Sequence, residues 1–143
     1  MELMSKDFEN EEMMDSKFTC DGQDISPHLK WGDAPSGTKS FALCCEDPDA
    51  PSGNWIHWMI VNIPAKTTEI PQNGPVPGKE IENDFGKTSY GGPCPPSGTH
   101  RYIFTVYALD TKKVSKVDKI DFKPKIKKHT LDSAELIGLY KKQ

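Results

Sequence analysis

Short runs of hydrophobic residues, separated by clusters of glycine and proline, give the chain its pattern. The runs at 40–45, 55–63 and 102–109 are rich in β-branched and aromatic residues, and runs of this kind bounded by turn residues predict β-strands. Turn residues cluster between them, above all at 47–53 and 91–98. Several short strands at this spacing predict a mostly β fold of the β-sandwich type.

The C-terminal segment has an ambiguous pattern. Residues 132–140 have helix propensity, with Asp132 or Ser133 as the cap, but the same residues also alternate as a strand would. Just before them, residues 122–129 carry Pro124 at a position suited to a first helical turn, followed by lysines. This stretch predicts one short helix.

Alternation along the predicted strands assigns polar side chains to faces. Counting in twos from Trp55 places His57 on the same face as the apolar residues that follow at every second position. The same count puts His100 and Tyr102 side by side, with Arg101 on the opposite face. Arg101 is the only arginine in the chain, and we interpret it as part of a structural ion pair or loop contact rather than as a ligand-binding group.

Composition and charge narrow the possible classes of protein. The 143 residues suit one domain spanning 1–143, whose acidic start at 1–12 is a candidate flexible extension. The net charge is only -3, and we interpret the lysine-rich stretch at 112–128 as a solvated face, so we predict no nucleic-acid partner. The start lacks the features of a signal peptide and no stretch is apolar enough to span a membrane, so we expect a cytoplasmic protein.

The four cysteines, Cys20, Cys44, Cys45 and Cys94, show no C-x-x-C spacing. Cys44 and Cys45 are adjacent in a predicted strand, where successive side chains point to opposite faces. Reduced thiols are expected in the cytoplasm. Neither the cysteines nor the four histidines have the spacing of a zinc site, so we predict no metal and no cofactor, with a metal held by Asp and His side chains as the minor alternative.

Two histidines form the candidate site. A single histidine is more often structural than ligand-binding, but His57 and His100 each lie at or near the end of a predicted strand, next to a proline-rich loop. Binding groups concentrate in loops that a rigid scaffold positions, and proline makes these loops rigid. The combination therefore favours a binding site over two unrelated structural residues.

Two long motifs follow each other in the chain: DPDAPS at 47–52, and YGGPCPPSGTHRY at 90–102. Together they resemble the phosphatidylethanolamine-binding protein family, also called Raf kinase inhibitor-like. The match continues through FTCDG at 18–22 and AELIGLY at 134–140, and it covers nearly the whole chain apart from the acidic start. The short connection between the first motif and His57 resembles the compact prokaryotic branch of the family.

The resemblance implies an antiparallel β-sandwich with one short helix near the C-terminus and a final strand at 134–140. It also implies a small pocket near one end that binds phosphate, acetate, phosphoethanolamine or a similar small anion. A tyrosine that longer relatives contribute to this pocket has no counterpart here, and Tyr140 is not assigned to it. The residues that match the family's pocket are Asp47, Asp49, Trp55, His57, Gly92, Pro95, Pro96, His100 and Tyr102.

Within this pocket, we expect His57, His100 and Tyr102 to donate hydrogen bonds to a phosphate oxygen. Asp47 is expected to orient an imidazole, and Asp49 to stabilise the loop. A carboxylate that faces a dianion is repulsive in a cavity of low dielectric constant. Either the ligand is therefore singly protonated, or an aspartate points into the loop backbone.

Three functions from different classes follow. The first is a protein that binds a small anion, either phosphate or a phosphoryl headgroup. The second is a modulator of a kinase or protease that acts through the rim of the pocket, or a pure protein inhibitor. The third is a phosphoester hydrolase that uses His57 or His100. No serine elbow or P-loop accompanies the histidines, so a protein without enzyme activity is preferred. The resemblance to prokaryotic relatives also implies a homodimer.

Overall fold

Nine β-strands and one α-helix make up the computed structural model, which describes residues 1–143. Its helix, α1, spans Phe122–Lys127, and a 3-10 turn lies at Ser16–Phe18. No helix of the protein is long and apolar enough to cross a membrane. The strands are β1 (Glu2–Met4), β2 (Glu12–Met13), β3 (Leu29–Gly32), β4 (Ser40–Asp47), β5 (Trp55–Pro64), β6 (Glu69–Ile70), β7 (Lys79–Ile81), β8 (Thr99–Leu109) and β9 (Thr130–Lys141).

The strands form two sheets. The larger has the order β2-β9-β8-β4-β5-β7, and the smaller has the order β1-β3-β6. All pairings are antiparallel except that of β2 with β9, which is a short parallel contact. The predicted mostly β fold with one short helix near the C-terminus is confirmed. The acidic start of the chain contributes β1 and β2, one to each sheet.

Hydrophobic side chains pack in two clusters, one on each side of the larger sheet. The larger cluster contains Trp31 of the small sheet and Trp58 and Phe104 of the large sheet, so it fills the space between the sheets. The smaller cluster lies under α1, whose Phe122 and Ile126 cover the opposite face of the large sheet. Complete burial of a large apolar side chain stabilises the fold by about 1.5–3 kcal/mol.

The ambiguous C-terminal segment forms a strand. β9 pairs along its length with β8 on one side and with β2 on the other. Because these ladder hydrogen bonds and the burial of alternate residues come from tertiary contacts, they outweigh the modest helix propensity of residues 132–140. The short helix predicted at 122–129 is also confirmed, and it ends two residues earlier, at Lys127.

The pairing of β4 with β5 contains an irregularity next to the candidate histidine. Cys45 lies opposite Trp58, but the next residue of β4, Glu46, lies opposite Ile56. His57 therefore has no partner of its own on β4. An extra residue of this kind bends the strand and redirects the side chains beside it, as β-bulges do near binding sites.

This irregularity changes which face of the sheet each side chain of β5 occupies. Met59 and Val61 lie in the cluster under α1, whereas Trp58 and Ile63 lie in the cluster between the sheets. A second irregularity follows farther along the strand. The prediction that His57 shares one uninterrupted face with Met59, Val61 and Ile63 is therefore wrong, because strict alternation holds only where every residue has one partner.

The cysteines differ from the prediction. Cys20 and Cys94 form a disulfide across 74 residues of sequence, so the expectation of reduced thiols is wrong for this pair. Cys44 and Cys45 are free and buried, and they lie in different clusters, so the prediction of opposite faces is confirmed. Burial raises the pKa of both free thiols.

Candidate functional site

A cavity of about 380 Å³ lies where β4 ends and where β5 and β8 begin. Two predicted site residues, Asp49 and Gly92, do not line it, and Tyr140 does not line it either. The walls are mostly apolar, with a few polar groups among them, which is the usual composition of a small-molecule pocket. The lining residues are Asp47, Ala50, Pro51, Ser52, Trp55, His57, Phe85, Cys94, Pro95, Pro96, His100 and Tyr102.

Asp47 holds the ring of His100. Its Oδ2 accepts a hydrogen bond from His100 Nδ1 at 2.6 Å, and its Oδ1 accepts one from the backbone N–H of Asp49 at 2.8 Å. Both Asp47 and His100 are buried. Because an ionised carboxylate only accepts, the proton of the imidazole lies on Nδ1. The carboxylate is thus occupied by the protein on both oxygens, and Nε2 of His100 is left for a ligand.

Asp49 binds Arg101 instead of entering the cavity. Its Oδ2 accepts from the backbone N–H and the Nε of Arg101, at 3.0 and 2.9 Å, and its Oδ1 accepts from Nη2 at 2.8 Å. The hydrogen bonds from the guanidinium lower the pKa of Asp49 to about 2. The structural ion pair predicted for Arg101 is confirmed, and it fastens the loop after β4 to the beginning of β8.

His57 is almost completely buried, with 3% of its surface exposed. Its Nδ1 lies 2.7 Å from the carbonyl oxygen of Gly91, and its ring packs edge-on against Tyr102 and Phe85 at centroid distances of 5.2 and 5.1 Å. Burial lowers the pKa of His57, although the Gly91 carbonyl and the Asp47 charge act in the opposite direction. The ring is therefore neutral at neutral pH, with its hydrogen on Nδ1 and Nε2 as an acceptor. The expectation that His57 donates a hydrogen bond to a phosphate oxygen is therefore wrong for the neutral ring.

Tyr102 contributes a hydroxyl that has no hydrogen-bond partner in the protein. The residue is fully buried, and burial, with the nearby charge of Asp47 as a smaller cause, raises the pKa of Tyr102 so that the hydroxyl keeps its proton. The nearby backbone of Cys94 lowers the pKa of Tyr102 slightly, but it does not form a hydrogen bond with the hydroxyl. A buried donor without a partner is costly, so a ligand oxygen would stabilise this group.

The wall beside His57, formed by the 91–96 segment, is fixed by contacts with the 18–24 segment. The N–H of Gly92 donates to Oδ1 of Asp24 at 2.8 Å, and a Cβ atom at Gly92 would lie only 2.1 Å from the carbonyl oxygen of Phe18. The disulfide between Cys20 and Cys94 is the next link along this wall. Gly92 therefore acts through the close approach of two backbone segments rather than through ligand contact.

Asn83 and Phe85 had no signal in the sequence. Asn83 is fully buried. Its Nδ2 donates to the carbonyl oxygens of His57 and Ser89, and its Oδ1 accepts from the N–H groups of Phe85 and Lys87. These four bonds place Phe85 against the ring of His57. A polar residue in a loop has no periodicity, so hydrophobic patterning does not detect it.

The polar groups of the site are not arranged as a metal centre. No group of three or more His, Cys, Asp or Glu side chains lies in a position to hold a metal ion. What the site offers is one buried hydroxyl and two imidazole Nε2 atoms that no protein group occupies. The two Nε2 atoms are not among the buried atoms that lack a partner, so they keep access to the cavity.

We expect nitrogen-15 NMR at neutral pH to show His57 as the tautomer protonated on Nδ1 alone. The carbonyl oxygen of Gly91 can only accept, so Nδ1 must carry the hydrogen, and burial keeps Nε2 bare. The signals are assigned by their disappearance in His57→Gln. Signals of a ring protonated on Nε2 alone would contradict the hydrogen bond to Gly91.

Comparisons with known proteins agree on one family. The family model described as phosphatidylethanolamine-binding protein matches residues 4–141. The chain is 45% identical to a UPF0098 protein of Aquifex aeolicus, over 99% of this chain and 89% of the relative. It is 44% identical to a UPF0098 protein of Methanothermobacter thermautotrophicus, over 99% of each chain.

Solved structures give the same result. The fold is similar to that of CT736, a phosphatidylethanolamine-binding protein homologue from Chlamydia trachomatis, with a TM-score of 0.93, 34% identity and coverage of 99% of this chain and 97% of that one. It is also similar to YbcL of Escherichia coli, described as a new member of the mammalian PEBP family, with a TM-score of 0.92, 33% identity and coverage of 99% and 98%.

Proposed function

Because the chain belongs to the phosphatidylethanolamine-binding protein family, we propose that its pocket binds a small phosphate-like anion, either free or as a phosphoryl headgroup. One observation carries the proposal. His57, His100 and Tyr102 line one cavity, and the Nε2 atoms of the two histidines have no partner in the protein. The hydroxyl of Tyr102 is buried and has no partner either. Because the remaining polar atoms of both histidines are occupied, the rings are held in place for a ligand.

The electrostatics of the pocket are compatible with an anion. Asp47 is the nearest carboxylate, and both of its oxygens accept hydrogen bonds, from His100 and from the backbone of Asp49. The charge of Arg101 is paired with Asp49. No lysine or arginine lines the cavity, so we expect the affinity for an anion to depend little on salt.

The apolar walls suit the part of a ligand that adjoins its phosphoryl group. Trp55 and Phe85 pack edge-on at a centroid distance of 5.6 Å, and Pro51, Pro95 and Pro96 complete the lining. Proline and aromatic side chains change conformation little on binding, so they cover the carbon atoms of a headgroup at low entropic cost.

Calorimetric titration with phosphate and with phosphoethanolamine tests the proposal. We expect saturable binding that weakens by about tenfold to a hundredfold in His57→Ala and in His100→Ala, the effect of losing one hydrogen bond to a charged ligand. His129→Ala is the matched control, because this histidine pairs with Asp110 and does not line the pocket.

Circular dichroism shows whether each variant is folded. If the folded wild-type protein bound neither ligand, the pocket would not be an anion site. If it bound both ligands and none of the histidine variants changed the affinity, binding would occur elsewhere on the surface.

A second candidate is the modulation of a kinase or protease through the pocket rim. Phe85 supports this alternative. It lines the cavity and is 39% exposed, and aromatic residues are enriched at protein interfaces. Inhibition of a kinase or protease panel that disappears in Phe85→Ser, while phosphate binding persists, would favour the rim over the pocket interior. The homodimer expected from the resemblance stays a prediction.

Hydrolysis of phosphoesters is the alternative with an enzyme mechanism. The pairing of Asp47 with His100 resembles the support of a general base, but the thiol of Cys94 is not available as a nucleophile because it is in the disulfide. Turnover of a phosphoester panel that is lost in His100→Ala and kept in His129→Ala would replace the binding proposal.

A further inference from the structure

The last strand of the large sheet, β9, has an edge that is only partly covered. β2 pairs with β9 at two residues alone. Just before this contact, the N–H of Ile137 donates to Oδ1 of Asn10 at 2.9 Å, and its carbonyl oxygen accepts from the N–H of Glu11 at 2.7 Å. Glu11 has a φ angle of 64°, and the chain turns away from β9 there. Residues 130–136 therefore have β8 as their only strand neighbour.

Alternation along β9 shows which backbone groups lie at the open edge. In an antiparallel ladder, the N–H and C=O of one residue point to the same side of the strand, and the side alternates from residue to residue. Since Ile137 points to the β2 side, Glu135 does so too, whereas Ala134 and Leu136 point to β8. The N–H and C=O of Glu135 therefore have no strand to pair with. An open edge of this kind can bind an extended segment as an added strand.

A groove of about 530 Å³ follows this open edge of β9. β1 also lines the groove, although it belongs to the small sheet and does not pair with β9. The buried side chains of Leu3, Phe8 and Leu136 give the groove an apolar floor. Side chains of a strand alternate between its two faces, so every second side chain of an added segment would pack on this floor.

The groove is acidic. Glu2, Glu9 and Glu135 line it, and all three are exposed. No lysine, arginine or histidine lines it, and the α-amino group of Met1 is paired with Oδ2 of Asp132 at 3.2 Å. Negative charge attracts a basic partner. It also disfavours pairing with the same edge of a second copy, because the glutamates of the two grooves would then lie opposite each other.

We propose that the groove between β1 and β9 binds an extended basic segment of another protein, which pairs with β9 at Glu135 as an added strand. The N–H and C=O of Glu135 exchange hydrogen bonds with the backbone of the segment. Its apolar side chains pack beside Leu136, and its lysine or arginine side chains lie on the other face, beside the carboxylate of Glu135. No residue of this groove lines the cavity at the end of β4, so this inference does not depend on anion binding.

Amide hydrogen exchange followed by NMR tests whether the edge is open. In the free protein, we expect the N–H of Glu135 to exchange at least about tenfold faster than those of Ala134 and Leu136, which are paired with β8. Adding the peptide acetyl-Lys-Val-Lys-Val-Lys-amide should slow the exchange of Glu135 and shift the signals of residues that line the groove. Protection of Glu135 without peptide would overturn the inference. If that protection increased with protein concentration, a second copy would be the occupant.

Two altered peptides separate backbone pairing from charge attraction. Methylation of the backbone nitrogens of the three central residues removes hydrogen-bond donors and keeps the charge, so we expect binding at least about tenfold weaker in fluorescence anisotropy. Replacing the lysines of the peptide by glutamate should have an effect at least as large. Equal binding of the methylated peptide, or no binding of the lysine peptide at millimolar concentration, would count against the added strand.

Variants of the protein locate the binding site. We expect Glu135→Lys to weaken binding of the lysine peptide by about threefold to tenfold, because an attraction becomes a repulsion. Glu82→Lys is the matched control, since it makes the same charge change at an exposed position outside the groove. If both variants weakened binding equally, net charge rather than the groove would attract the peptide, and the inference would be wrong. The exchange measurement on the wild-type protein decides the proposal even if Glu135→Lys does not fold.

Discussion

Replacing Cys20 and Cys94 together by serine is expected to lower the free energy of unfolding by about 2–4 kcal/mol. The disulfide joins residues 74 positions apart, so in its absence the unfolded chain gains the conformational freedom of a long open loop. No other covalent link crosses the chain, since Cys44 and Cys45 are free. The loss is therefore a large fraction of the total stability of a small domain.

Loss of the disulfide is also expected to weaken ligand binding in the pocket. Cys94 lines the cavity, and its neighbours Pro95 and Pro96 form the same wall. The hydrogen bonds of Gly91 to His57 and of Gly92 to Asp24 remain, so the wall is loosened rather than released. We therefore expect weaker phosphate binding in the double serine variant under conditions in which it is still folded.

Urea unfolding followed by tryptophan fluorescence measures the stability of the wild-type protein and the double serine variant, with and without dithiothreitol. The reductant should destabilise the wild-type protein and leave the variant unchanged, which is the control. Thiol titration in denaturant should find the two free cysteines, Cys44 and Cys45. Four reactive thiols and identical unfolding curves would mean that the bridge does not form.

The bridge also concerns the compartment of the protein. Disulfides persist in oxidising environments and are reduced by the thiol systems of the cytosol. The cytoplasmic location expected from the N-terminal sequence therefore stands in tension with the pairing of Cys20 and Cys94. Thiol counts on protein trapped directly from cells would show which of the two states is present there.

Gly92→Ala is expected to destabilise the protein by about 1–3 kcal/mol, or more if the wall cannot shift, and to weaken phosphate binding. The new Cβ atom would lie 2.1 Å from the carbonyl oxygen of Phe18 and 2.4 Å from Oδ1 of Asp24. Backbone atoms cannot move aside as the end of a flexible side chain can. The two segments must therefore separate, which also strains the hydrogen bond between Gly92 and Asp24.

Gly32→Ala is the matched control, because nothing lies within 4 Å of a Cβ atom at that position. We expect its unfolding curve to stay within about 0.5 kcal/mol of that of the wild-type protein. Urea unfolding and phosphate titration measure both variants. If Gly92→Ala were as stable as Gly32→Ala and bound phosphate normally, the close approach at Phe18 would not contribute to the pocket wall.

The sequence, together with the family resemblance of its motifs, was enough to predict the mostly β fold and most of the residues that line the cavity. Strands at 40–45, 55–63 and 102–109 and the helix at 122–129 were predictable because their signals are local, namely alternating hydrophobic residues and proline or glycine at the ends. His100 and Tyr102 were placed side by side for the same reason. Their meeting with Asp47 and His57 was implied by the family resemblance that the two proline-rich motifs carry.

Contacts between distant segments decided the rest. The irregular pairing that redirects His57 depends on how β4 and β5 match each other, and the disulfide depends on two loops that the fold brings together. The hydrogen bond of His57 to Gly91 and the four bonds of Asn83 are likewise tertiary. A hydrophobic pattern reports which residues are buried, but the partner of each buried polar atom, and hence the proton it offers a ligand, is determined only when the segments pack.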